Sequence, residues 1–93
     1  MERVSRCEEQ VLVTVWDAEE TPDLSAVMNR VNSRFGHNWK PQTVSTFLGR
    51  LVKKGFLETY RKGRYTYYLP RVSKESYKKA AVAEMEALFG NIR

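Results

Sequence analysis

The sequence predicts a mainly α fold with a small β-hairpin, in the order helix, helix, helix, hairpin, helix. Three observations predict it. Four segments place apolar residues at helical spacing behind residues that cap helices. The segment FLETYRKGRYTYYL, Phe56 to Leu69, abandons that spacing, alternates in part, and is rich in Tyr and Thr as strands are. The 93 residues suffice for one small domain, with a core near the lower end of what folds unaided.

The first helix is expected over about 5–17. Ser5 to Glu8 spells S-R-C-E, a capping-box pattern, and Cys7, Val11, Leu12, Val15 and Trp16 form the stripe behind it. Asp23 is a good N-cap for a second helix over about 24–34, built on Leu24, Val27, Met28 and Val31. Gly36 stops it. A third helix runs from Pro41, at the favoured first-turn position, to Lys54, with Gly55 just past its end. Strands are expected over about 56–61 and 64–69, with Lys62-Gly63 as the hairpin tip. Pro70 ends the hairpin, Ser73 caps a last helix over about 74–89, and Gly90 ends it. Three short helices followed by a two-stranded wing is the winged helix-turn-helix arrangement. A four-helix bundle competes for the helices, but the Tyr/Thr-rich segment argues against it.

Charge is unevenly spread. The net charge is +5, yet residues 40–80 hold eleven Lys/Arg against Glu58 and Glu75, a net of +9. Residues 1–39 carry −3 and residues 81–93 carry −1. A basic block on a folded domain points to a polyanion, nucleic acid before an anionic membrane; the alternative is a solubilising surface.

Other function classes find little support. Hydrophobic residues at 42% and charged residues at 29% describe a globular chain, and no apolar run is long enough to span a membrane. The N-terminal segment lacks the shape of a signal peptide, so the expected location is cytoplasmic. One cysteine, Cys7, excludes an internal disulfide, and on its apolar stripe it reads as a small buried hydrophobe. His37 is the only histidine and is expected to be an exposed loop residue. Trp16 and Trp39, beside loop starts, read as core or wing packing. No phosphate loop, metal-ligand cluster or Ser/His/Asp set is present. The chain is therefore expected to be no enzyme, with no cofactor, no metal and no small-molecule ligand.

The third helix carries the functional signal. At about 100° per residue, Val44, Phe47, Leu48 and Leu51 gather on one side. Opposite lie Gln42, Thr46, Gly49 and Lys53, flanked by Ser45 and Arg50. Small polar residues let a helix approach a groove floor, and Thr, Ser and Gln can bond base edges. The candidate base-reading residues are Gln42, Thr43, Ser45 and Thr46, in the first two turns, which enter a major groove deepest. Gly49 costs about 1 kcal/mol relative to Ala inside a helix, a cost explained if the position needs close approach. The candidate backbone contacts are Lys40, Arg50, Lys53 and Lys54, with Arg61, Lys62 and Arg64 from the wing. Tyr60, Tyr65, Tyr67 and Tyr68 read as strand packing and phosphate hydrogen bonds rather than base stacking. The competing reading makes the polar residues ordinary surface and seats Gly49 against a neighbouring helix.

In the last helix, Tyr77, Ala81, Met85, Leu88 and Phe89 fall along one side. A partner helix is the expected cover, giving a two-fold homodimer suited to a palindromic site on double-stranded DNA. The alternative is that this side packs on its own domain. The chain is thus divided into a DNA-binding domain, 1–72, and a C-terminal dimerisation helix, 73–93.

The run PQTVSTFLGRLVKKGFL, the Lys/Arg-bearing hairpin ending in YYL, ESYKKAA, and the early EEQVLVTVW together resemble the BlaI/MecI/CopY family of bacterial repressors. The most specific part is Pro41, Thr43, Val44 and Thr46, continued by Arg50, Leu51, Lys53, Lys54 and Gly55. The resemblance implies a homodimeric winged-helix repressor whose third helix reads bases and whose wing grips the backbone. Members often continue through further dimerisation helices beyond the position of Arg93. The copper-responsive branch carries a Cys-x-Cys tail that is absent here, and the β-lactam-responsive branch is relieved by proteolysis in the dimerisation region. Gln42 and Ser45 stand where β-lactamase-type repressors commonly have Lys and Arg, which implies a different operator. From another class, the alternative is a winged-helix protein-interaction module that binds an acidic partner through its basic face.

Overall fold

Side-chain caps mark the start of three of the four helices, and a proline in the first turn marks the other. In the computed structural model, which describes residues 3–90, α1 spans Arg6–Trp16. Ser5 Oγ accepts the Glu8 N–H at 3.2 Å and Glu8 Oε1 accepts the Ser5 N–H at 2.8 Å, so both halves of the capping box form. α2 spans Leu24–Phe35, its N-cap Asp23 accepting the Ala26 N–H at 2.9 Å. Gly36 ends it at φ 70°, a left-handed conformation that glycine adopts without penalty. α3 spans Pro41–Lys53 and α4 spans Lys74–Phe89, the latter capped by Ser73 on the Ser76 N–H at 3.0 Å. Between them β1, Leu57–Lys62, and β2, Tyr65–Pro70, form an antiparallel hairpin. The order is helix, helix, helix, hairpin, helix, as the sequence predicts.

The hairpin register departs from expectation by one residue. Lys62 pairs with Tyr65, so the tip is Gly63-Arg64 rather than Lys62-Gly63. Gly63 has φ 65° and no other hairpin residue has positive φ, the pattern of a type II′ turn with glycine first. Phe56 explains the shift. It does not open the strand but is 1% exposed in the core, with its N–H on Leu51 O at 2.9 Å and its carbonyl accepting the Arg71 N–H at 2.8 Å.

Val11, Leu12 and Val15 of α1, Val27 and Val31 of α2, and Val44, Leu48 and Leu51 of α3 meet with Phe56 and Leu57 in one core. The wing is tied in at its base: the Tyr68 N–H donates to Pro22 O at 3.0 Å and Asp23 forms a β-bridge with Tyr67. The turn between α2 and α3 is clamped by Asn32, whose side-chain amide bonds both the N–H and the carbonyl of Trp39 at 3.0 Å. The Trp39 ring lies 5.0 Å from Phe47 of α3 and 4.0 Å from the parallel ring of His37. His37 is therefore not an exposed loop residue: it is half-buried, with Nε2 2.6 Å from Gln10 Oε1 of α1. Cys7 is half-buried rather than buried.

No residue of α4 is buried. The radius of gyration is 14.4 Å, against about 12 Å for a compact domain of this length, because α4 projects from the body. The two-segment division places its first two and last three positions outside the described residues.

Candidate nucleic-acid interface

α3 is held from behind by Val44, Leu48 and Leu51, all fully buried, so its opposite face is fixed in space. Gln42, Ser45, Thr46 and Gly49 are exposed there. Thr43 is half-buried, since its place on the wheel turns it toward Phe47. Thr46 donates its hydroxyl proton to Gln42 O at 3.0 Å. That bond occupies the hydroxyl proton and leaves the oxygen's lone pairs and the methyl group available on an exposed side chain. A base amino group could donate to the first and a thymine methyl could touch the second. A Cβ built on Gly49 meets nothing within 4 Å, which removes the reading that Gly49 packs against a neighbouring helix.

Cations frame this face. Lys40 stands at the N-cap of α3 and makes no capping hydrogen bond, while Arg50 and Lys53 lie in its last turn. Arg50 reaches over the Phe47 ring, 6.0 Å from its centroid. Arg61, Lys62 and Arg64 are exposed on the wing. Among the described residues, none of these six forms an ion pair. The register separates the wing cations, for Arg61 shares the face of buried Leu57 while Lys62 shares that of Tyr60. The Tyr60 and Tyr67 rings stack at 5.3 Å on the Lys62 face, and Tyr68 is half-buried on the other.

Two residues are reassigned. Lys54, expected to contact the DNA backbone, turns inward from the C-cap of α3. Its Nζ donates to Glu8 Oε1 at 2.8 Å and to Arg3 O at 2.7 Å. Glu8 is 2% exposed, and its oxygen needs that donor more than solvent could supply it. Burial raises the Glu8 pKa, but the hydrogen bonds from Lys54 and Ser5, with the Lys54 charge, outweigh it and hold the carboxyl below its ordinary value.

Tyr77, grouped with the dimerisation residues, packs on its own domain. Its ring lies 5.4 Å from Trp16 and 5.8 Å from Phe56, and its hydroxyl donates to Glu9 Oε2 at 2.7 Å. Burial, followed by the Glu9 hydrogen bond, raises its pKa and keeps it a donor. Beyond it, Ala81 is half-buried, whereas Met85, Leu88 and Phe89 are 58%, 75% and 61% exposed, and Val82 joins them.

Besides Glu9, the partner of Tyr77, sequence reading missed two acids. Glu8 was legible as a cap but not as a buried partner of Lys54, which lies 46 residues away. Asp17, at the C-cap of α1, accepts from Arg34 Nη1 at 2.7 Å and from Lys74 Nζ, and those bonds, Lys74 first, lower its pKa. Among the described residues, no cluster of His, Cys, Asp and Glu could hold a metal ion, and no helix is long and apolar enough to cross a membrane.

The model of the family described as penicillinase repressor matches residues 4–91. The chain belongs to the penicillinase repressor family. This is a family of repressors, not of enzymes. The penicillinase repressor of Bacillus licheniformis is 27% identical over 77 residues, covering 81% of this chain and 56% of that protein. An uncharacterised 16.5 kDa protein of Latilactobacillus sakei, from the region 3′ of ptsI, is 41% identical over 56 residues, covering 57% of this chain and 37% of its own. The chain thus spans about half or less of the length of these curated relatives.

Two solved structures of the family share the fold. The DNA-binding domain of the repressor BlaI matches at a TM-score of 0.68 with 28% identity, over 83% of this chain and 94% of that one. The monomeric form of Bacillus licheniformis BlaI, in complex with the blaP half-operator, matches at 0.65 with 28% identity, over 82% and 89%. The winged helix expected from element order is therefore the fold of this family.

Proposed function

We infer that the chain is a sequence-specific DNA-binding transcriptional repressor that acts as a homodimer on a palindromic operator. α3 enters the major groove, with Gln42, Ser45 and Thr46 toward base edges and Thr43 at the margin. Lys40, Arg50 and Lys53 meet phosphates at the groove edges, and the wing places Arg61, Lys62 and Arg64 on the backbone or the adjacent minor groove. The exposed side of α4, Met85, Leu88 and Phe89, is covered by its counterpart in the second protomer, within the dimerisation segment 73–93.

One observation carries this reading. α3 presents an exposed, small and polar face, open around Gly49 and framed by cations without acidic partners among the described residues. Membership of a repressor family, and a related domain bound to a half-operator, support it. Measuring binding to duplex DNA against salt tests it. Log K should fall steeply with log salt, and a sequence preference should survive excess competitor DNA. A flat response with no preference would contradict DNA reading and favour an acidic protein partner.

A further inference from the structure

α4 leaves the body as an arm fastened through its first turn. The fastening has two points. At one, Lys74 Nζ bonds Asp17 at the C-cap of α1, and Asp17 also holds Arg34 of α2. At the other, the Tyr77 hydroxyl bonds Glu9 in the N-terminal half of α1 at 2.7 Å. The Trp16 ring packs in the same region, donating from Nε1 to Val72 O at 2.8 Å and lying 5.4 Å from the Tyr77 ring. Glu9 and Asp17 are eight residues apart, so the anchors are about 12 Å apart along α1. A single anchor leaves a pivot, whereas two separated anchors fix a direction.

We propose that this pair of anchors, Glu9–Tyr77 and Asp17–Lys74, sets the direction of α4 and thereby selects the spacing between operator half-sites. The proposal rests on the reading above, that two copies pair through α4 on a palindrome. From Tyr77 to Phe89 the arm runs about 18 Å, so a swing of roughly 10° moves its end by about 3 Å, close to the ~3.4 Å rise of one base pair. An arm held in direction presents two reading helices at one separation. A free arm tolerates several. Glu9, Asp17, Lys74 and Tyr77 are then positioning residues: they determine where the second half-site must lie without touching DNA.

The test uses the full 93-residue chain and the double variant Glu9→Ala/Lys74→Ala, which removes one partner from each anchor at exposed positions. Each protein is titrated against a single half-site duplex and against palindromes whose half-site spacing varies by single base pairs. The expected result is a wild-type preference of about tenfold or more for one spacing, reduced below about threefold in the variant, with half-site affinity unchanged. A wild-type preference that the variant retains in full would overturn the anchor proposal alone. A wild-type chain with no spacing preference, despite sequence-selective half-site binding, would overturn it together with pairing through α4. Weakened half-site binding in the variant would also overturn it, by showing that these residues support the reading head and not the arm.

Discussion

Lys54 Nζ lies 2.8 Å from Oε1 of Glu8, a carboxylate with 2% of its side chain exposed. The bond joins the C-cap of α3 to the first turn of α1. It is a buried charge paired by a half-buried one, and it holds down the end of the helix that carries the candidate reading face.

The position of Lys54 separates it from the neighbouring cations. Lys54→Met strands the Glu8 carboxylate and should cost about 2–3 kcal/mol of folding stability, measured by urea unfolding. It should leave the slope of log K against log salt for DNA binding unchanged, since Lys54 releases no counterion. Lys62→Ala should do the opposite, with stability within about 0.5 kcal/mol and a salt slope smaller by about 1, weakening specific and nonspecific binding alike.

Acid should unfold the protein partly through the same carboxylate. The ordinary pKa values are 4.5 for Glu8 and 3.8 for Asp17, and both are lowered in the fold. A carboxyl whose folded pKa is depressed stabilises the fold above its unfolded pKa, and the contribution disappears as pH falls through the folded value. Stability should therefore hold from neutral pH down to about pH 5 with respect to these groups, then decline below about pH 4. Asp17 is a third exposed and contributes the smaller part. Glu8→Gln should flatten the acid limb of a ΔG-against-pH curve measured by denaturant titration.

Gly49 separates folding from function. The position is helical and exposed, and a Cβ there would meet nothing within 4 Å. Gly49→Ala should therefore raise stability by about 1 kcal/mol. If the helix backbone must approach the groove floor, the larger Gly49→Gln, itself a good helix former, should also fold stably yet bind specific DNA more weakly. Thermal unfolding and DNA titration on the same samples read both effects.

Much of the fold was legible because caps and periodicity are local. Ser5, Asp23, Pro41 and Ser73 mark four helix starts, and apolar spacing shows which sides of α1, α2 and α3 are covered. The small polar face of α3 was legible for the same reason. The hairpin register was not, because Gly63 could close a turn from either central position. Burial of Phe56, a tertiary event, decided it. Lys54 and Tyr77 were misassigned for a related cause. Each lies on a face that sequence alone marks as cationic or apolar, and only the packing of α1 against α3 and α4 reveals Glu8 and Glu9 as their partners.

The central claim is that α3 reads bases, and Thr46 tests it most directly. Its hydroxyl proton is committed to Gln42 O, so removing the side chain deletes an exposed acceptor and a methyl group without disturbing the core. The measurement is the ratio of specific to nonspecific affinity for Thr46→Ala, on an operator selected by the wild-type chain from a random duplex pool and on its single-base variants. The account expects a loss of about 1–3 kcal/mol in specific binding, with discrimination relaxed at one base pair per half-site. An unchanged specificity ratio would contradict it and remove α3 as the reader.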